Sequence, residues 1–134
     1  MDDRRFGTVL VCGAGVAGAS AVRALLRAGS TVLLSDRVES DAGVHLAGLG
    51  ARFVGAVDAL PSGVDLVVTS PGWRPDHPLF ADAAARGVDV VGELEFAWRL
   101  RADDAAPWLA VTGTNGKTTT VRMLESILQA SGAR

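Results

Sequence analysis

A chain of 134 residues, 49% of them apolar, has room for one complete α/β domain with its own core and too little for two. Its 13 basic and 15 acidic residues are interspersed and leave a formal charge of −2, so no basic footprint for nucleic acid or an anionic membrane surface is present. One cysteine excludes an internal disulfide framework, and no apolar run approaches the ~18 residues that span a bilayer.

Arg4 and Arg5 precede a mild apolar stretch, but Asp2 and Asp3 spoil the basic start of a signal peptide, and glycines at 13, 15 and 18 interrupt its apolar part. A cytoplasmic protein is the expectation. The run Thr8-Val9-Leu10-Val11-Cys12 predicts a first strand, with Cys12 as a small buried hydrophobe. A glycine turn follows, then a helix from about Ala17 to Ala28 that stops at Gly29. Thr31-Val32-Leu33-Leu34 predicts a second strand ending at Ser35-Asp36. A helical stretch around Ala42 to Leu49 ends at Gly50, Arg52-Phe53-Val54 is a short third strand, and Leu66-Val67-Val68-Thr69 a fourth.

Pro78 suits a helix's first turn, where a missing N–H costs nothing, and Gly87 closes that helix. Val88 to Val91 predicts a fifth strand. Glu93 to Arg101 predicts a helix with Leu94, Ala97 and Trp98 facing the sheet. Strands this apolar, separated by helices, imply an α/β fold: a Rossmann-like, mainly parallel sheet with helices on both faces. His45 and His77 have no metal-ligand spacing and read as surface or capping residues, and Trp73, Trp98 and Trp108 read as packing residues.

Residues 102–107, with two aspartates, alanines and a proline, read as a linker between a first domain at 1–101 and a new segment at 108–134. That segment predicts a strand from Trp108 to Val111, a loop, and a helix from about Lys117 to Ala130 with Val121, Leu124, Ile127 and Leu128 at helical spacing. It reads as the first strand-loop-helix of a P-loop domain, too small to build a core alone.

Two glycine-lined loops carry the chemistry. Gly13-Ala14-Gly15-Val16-Ala17-Gly18 fits G-x-G-x-x-G between a strand and a helix, with Asp36 at the end of the next strand. Glycines there let the backbone approach a pyrophosphate at the positive end of the helix, and an acidic side chain can accept from a ribose or base. The loop sees phosphates and not the rest of the ligand, so a nucleotide diphosphate and a nicotinamide dinucleotide both remain open. The second loop, Gly113-Thr114-Asn115-Gly116-Lys117-Thr118-Thr119, contains the only lysine of the chain. It departs from the general P-loop pattern in having Val111 where the first glycine belongs. A compact ammonium at a helix start reaches between phosphate oxygens, and a hydroxyl beside it, Thr118, can ligate Mg²⁺. Between the loops, Ser70-Pro71-Gly72 ends the fourth strand, where ligands of open parallel sheets collect.

Taken in this order, G-x-G-x-x-G, S-P-G and V-T-G-T-N-G-K-T-T resemble the Mur ligases of peptidoglycan synthesis. The first loop, without the doubled glycine typical of the L-alanine-adding relative, and His77-Pro78-Leu79-Phe80-Ala81-Asp82-Ala83 are most similar to the D-glutamate-adding, MurD-type branch. The resemblance covers essentially the whole chain but only the beginning of such a ligase, and implies a piece unable to ligate alone. It further implies that the parent uses ATP and Mg²⁺ to join D-glutamate to UDP-N-acetylmuramoyl-L-alanine through an acyl phosphate. Lys117 would then act on the transferred phosphoryl group, with Gly113, Thr114, Asn115, Gly116, Thr118 and Thr119 around ATP and Thr118 on the metal. Gly13, Gly15, Val16, Ala17, Gly18, Asp36, Arg37, Ser70, Pro71 and Gly72 would bind the UDP end of the muramoyl substrate. A non-catalytic nicotinamide-binding module is the alternative, as is another Mur-type ligase.

Overall fold

The computed structural model describes residues 6–132. They divide into two compact units, the first ending at Arg101 and the second beginning at Ala102.

In the first unit, β1 (Thr8–Cys12), β2 (Thr31–Ser35), β3 (Arg52–Phe53), β4 (Leu66–Thr69) and β5 (Asp89–Gly92) form one sheet in the order β3-β2-β1-β4-β5. All four pairings are parallel; Leu10, for example, stands between Leu33 of β2 and Val67 of β4. The chain winds outward from β1 to β3, crosses back, and continues through β4 and β5 on the other side. β1 is therefore the central strand, and Val9 to Cys12 are buried on both faces, which is why that run is apolar without alternation.

α1 (Val16–Arg27), α2 (Asp41–Gly48) and α4 (Glu93–Arg99) cover one face. Val22 and Leu25 of α1, Leu46 of α2 and Phe96 of α4 meet Val9, Val11, Val32, Leu34 and Val68 there. α3 (Pro78–Ala85) covers the other face, where Leu79 and Ala83 pack on Leu10, Cys12, Leu33 and Val67. The crossover from β3 to β4 has no helix; it buries Leu60 and Val64 in this second core instead. Leu60 is held at both ends of its peptide unit: its N–H donates to Asp82 Oδ2 at 2.8 Å, and its carbonyl accepts from Arg86 Nη1 at 3.0 Å. Asp82 and Arg86 also pair with each other one helical turn apart on α3, at 2.8 Å.

Helix boundaries follow their chemistry. Ser40 caps α2 by accepting the Gly43 N–H at 3.3 Å, and Pro78 occupies the first turn of α3 behind His77, whose Nδ1 accepts the Leu79 N–H at 3.3 Å. Gly29, Gly50 and Gly87 follow α1, α2 and α3 with positive φ, the left-handed step that ends a helix.

The fourth helix differs from expectation. Leu94 and Trp98 are exposed, at 71% and 55%, whereas Phe96 is 2% exposed and Leu100 packs beside it. Two apolar stripes at i, i+4 compete along this helix, Leu94–Trp98 and Phe96–Leu100. Because α4 starts directly at Glu93 after β5, the entry angle turns the second stripe onto α1 and the sheet.

In the second unit, α5 (Lys117–Ala130) is the regular element among the described residues. The strand expected at Trp108 to Val111 is not formed, and the P-loop strand-loop-helix is reduced to a loop and a helix. A β-strand needs a ladder partner for its N–H and C=O groups, and no other strand occurs among the described residues of this unit. α5 has no buried residue; Val121, Met123 and Ile127 are exposed.

Candidate functional site

The three glycines of the first loop meet three different constraints. Gly13 has φ +102°, and a Cβ there would lie 2.5 Å from Ser70 Oγ and 3.4 Å from Trp73 Nε1. Gly18 lies inside the first turn of α1, and a Cβ there would run into the Gly13 carbonyl oxygen. Gly15, the residue before α1, has ordinary φ and open space around it. The first glycine thus makes the turn, the third lets helix and strand touch, and the second leaves the backbone bare toward solvent. No side chain caps α1 and its first turn holds no acid, so the amides at its start remain turned toward that open space, where an anion would meet the positive end of the helix.

The turn after β4 is bound to β1. Ser70 sends both its N–H and its Oγ–H to the Cys12 carbonyl, at 3.2 and 2.8 Å. Its own carbonyl accepts the Trp73 N–H at 3.2 Å and closes Ser70-Pro71-Gly72-Trp73. Ser70, Pro71 and Gly72 therefore stand beside Gly13, outside the carboxyl ends of β1 and β4, the point from which the sheet winds in both directions.

Asp36 does not face the cleft with free oxygens. Oδ2 accepts the Ala14 N–H at 2.8 Å and Oδ1 accepts the Arg37 N–H at 2.7 Å, so the carboxylate first of all holds the glycine turn. Each oxygen keeps a second lone pair for a ligand. Arg37, next to it, is exposed.

Three cavities line this edge. One of about 610 Å³ runs between α1 and α4, with Val16, Ala17, Pro71 and Glu93 in its wall. A second, of about 630 Å³, is lined by Ser70, Pro71, Trp73, Phe80, Glu93 and Leu94. A third, of about 420 Å³, has Asp36, Arg37, Asp58, Gly72, Trp73 and His77. The structure thus brings the first-domain residues named from the sequence to one edge of the sheet. It also places Trp73 and Glu93 there: Trp73 packs on the second core, as its sequence reading expects, and at the same time lines two of these cavities, while Glu93 was not singled out from the sequence. Both had a signal: Trp73 closes the turn that begins at Ser70, and Glu93 is the first residue beyond the carboxyl end of β5.

Cys12 lies beneath this edge, fully buried, and burial pushes its thiol up to about 12. With that burial the thiol is held in its neutral form.

In the second unit, Gly116 is left-handed at φ +78° and directs the chain into α5 with Lys117 as its first residue. Lys117 Nζ donates to the Gly113 carbonyl at 2.7 Å, bridging the loop. Thr118 and Thr119 follow in the exposed first turn, which lacks a side-chain cap. Among the described residues no three His, Cys, Asp or Glu side chains form a group that could hold a metal ion. No helix among the described residues is long and apolar enough to cross a membrane.

Residues 7–92 match the family model described as Mur ligase MurD-like, N-terminal domain. Over 131 residues the chain is 53% identical to a protein of Thermobifida fusca named UDP-N-acetylmuramoylalanine--D-glutamate ligase, covering 94% of this chain and 28% of that one. A Streptomyces avermitilis protein of the same name is 50% identical over 132 residues, with the same coverage. The chain thus spans little more than a quarter of the length of these relatives. Among solved structures, the murein peptide ligase Mpl of Psychrobacter arcticus shares the fold, with a TM-score of 0.67 at 24% identity over 94% of this chain and 27% of its own. MurC, the UDP-N-acetylmuramate-alanine ligase of Thermotoga maritima, gives 0.64 at 25% identity over 92% and 29%. With a glycine cradle at the switch point of a five-stranded parallel sheet and a family match across that whole sheet, the chain belongs to the MurD-like branch of the Mur ligases, through their N-terminal domain.

Proposed function

We propose that the chain is the substrate-binding start of an ATP-dependent ligase that adds D-glutamate to UDP-N-acetylmuramoyl-L-alanine in the cytoplasm. Residues 1–101 hold the UDP end of the muramoyl substrate, 102–107 link, and 108–134 open the ATP-binding domain. The observation that carries this reading is the cradle at Gly13, Gly15 and Gly18, bare at its second glycine and flanked by Ser70-Pro71-Gly72, in a chain half identical to proteins of that name.

In the complete reaction the alanyl carboxylate attacks the γ-phosphorus of ATP, ADP leaves, and an acyl phosphate results. The D-glutamate amine then attacks the acyl carbon, phosphate departs, and a proton is lost from nitrogen. Amides at the start of α1, by Val16 and Ala17, take the substrate diphosphate, while Asp36 and Arg37 border its nucleoside. Lys117, once released from the Gly113 carbonyl, offsets charge on the transferring phosphoryl group, the amides of 114–118 cradle the ATP tail, and Thr118 offers its hydroxyl to Mg²⁺. Bound ATP and Mg²⁺ supply the phosphoryl group and the charge neutralisation that activate the carboxylate.

Calorimetry on this chain tests the reading. Saturable binding of UDP and of UDP-N-acetylmuramoyl-L-alanine, with no response to NADH, is expected. Saturable NADH binding without a response to either uridine nucleotide would overturn it in favour of a nicotinamide-binding module.

A further inference from the structure

We infer that the indole of Trp73 is a wall of the ligand cleft, packing against the pyrimidine and ribose of a nucleoside diphosphate while the glycine cradle takes its phosphates. The inference rests on the proposed uridine-nucleotide reading and adds to it a contact residue.

Four observations meet at this side chain. Its backbone is fixed by the turn closed on the Ser70 carbonyl, which is itself bound to β1 through Cys12. Its Nε1 stands 3.4 Å from where a Cβ on Gly13 would be, so the nitrogen edge of the indole lies over the first glycine of the cradle. Its orientation is set from behind, with the His77 ring centroid at 4.8 Å and that of Phe80 at 6.0 Å, and His77 is pinned by its bond from the Leu79 N–H. The ring is also common to two of the cavities at the carboxyl edge.

The indole packs on the second core, yet its Nε1 has no acceptor among the described residues and is not shut away from solvent, so it can donate to a ligand in the cleft. The cavity it shares with Asp36, Arg37, Asp58 and His77 offers acceptors and donors around one aromatic wall. That combination suits a heterocycle with a flat face and both N–H and C=O groups on its edge. A phosphate would meet two carboxylates there. Trp98 and Trp108 line none of the three cavities at this edge.

The chain's three tryptophans make the test direct. In the Trp98→Phe, Trp108→Phe double variant, Trp73 is the only indole, and titration with UDP should shift its emission saturably. Inorganic pyrophosphate, which can fill the cradle but not the wall, should leave that emission unchanged. By calorimetry Trp73→Leu should weaken UDP about tenfold, with Trp73→Phe in between because the ring remains and the N–H is lost. Unaltered Trp73 emission while UDP binds, an equal response to pyrophosphate, or undiminished UDP affinity in Trp73→Leu would each overturn the inference. If Trp73→Leu fails to fold, the emission titration decides. Absence of any UDP binding to the unsubstituted chain is a separate result: it overturns the functional reading and this inference with it.

Discussion

The Asp36 carboxylate accepts the Ala14 N–H at 2.8 Å, tying the end of β2 to the glycine turn that follows β1. With its other oxygen on the Arg37 amide, it organises the cradle as well as bordering it. Asp36→Ala leaves two amides without their acceptor and should cost about 1–2 kcal/mol, a fall in Tm of roughly 4–10 °C. Asp36→Asn, which keeps one carbonyl oxygen, should cost about half as much. Thermal unfolding followed by circular dichroism reads both, and an unchanged Tm in Asp36→Ala would show that the bond is not maintained in solution.

Gly15 and Gly18 should separate ligand binding from folding. A methyl on Gly18 collides with a backbone carbonyl that cannot move without breaking the turn, so Gly18→Ala should destabilise by about 2 kcal/mol or more. Gly15 has room and ordinary φ, so Gly15→Ala should hold Tm within about 2 °C yet weaken UDP about tenfold by covering the approach of the diphosphate. Paired denaturation and calorimetry check the contrast, and equal stability losses in the two variants would contradict it.

Cys12 gives the fold an alkaline limit. Burial raises its thiol from 9.0 to about 12, so between those values the unfolded chain has released a proton that the folded chain retains. Stability therefore falls as pH rises through that window, by about 1.4 kcal/mol per unit, and Cys12→Ser or Cys12→Ala should remove this part of the slope. Below pH 9 a thiol reagent should label Cys12 only as fast as the domain opens. Prompt labelling of the native protein would refute its burial.

α5 should be the less protected part of the chain. It buries no side chain, so its amides are held by local helical hydrogen bonds alone and should exchange with deuterium much faster than those of β1 and β4. Lys117→Ala, which removes the bridge to the Gly113 carbonyl, should leave the Tm of the sheet and the UDP affinity unchanged. Magnesium-dependent ATP binding to this chain should be weak, since no group of three His, Cys, Asp or Glu side chains that could hold the ion occurs among the described residues. Tight ATP binding abolished in Lys117→Ala would contradict this.

Much of the first unit was legible because its signals are local. Apolar runs of four or five residues mark β1, β2 and β4, and Pro78 and Gly87 bracket α3 through constraints each residue carries anywhere. The spacing Gly13, Gly15, Gly18 between a strand and a helix announces a cradle for the same reason. Other features were not written locally. Leu94–Trp98 and Phe96–Leu100 fit the helical period equally well, and only the packing of α4 on α1 chose between them. Trp108 to Val111 has strand composition but no neighbour to pair with in its unit.

Within residues 1–101 the sequence by itself determined the order of strands and helices and the first glycine loop, because period, backbone freedom and apolarity are properties of short stretches. Only the tertiary structure decided that Asp36 spends its carboxylate on the Ala14 and Arg37 amides and that Trp73 stands over Gly13. Asp36 and Ala14 are 22 residues apart, and Trp73 and Gly13 lie farther still; such pairs meet only when neighbouring strands bring their carboxyl ends to one edge.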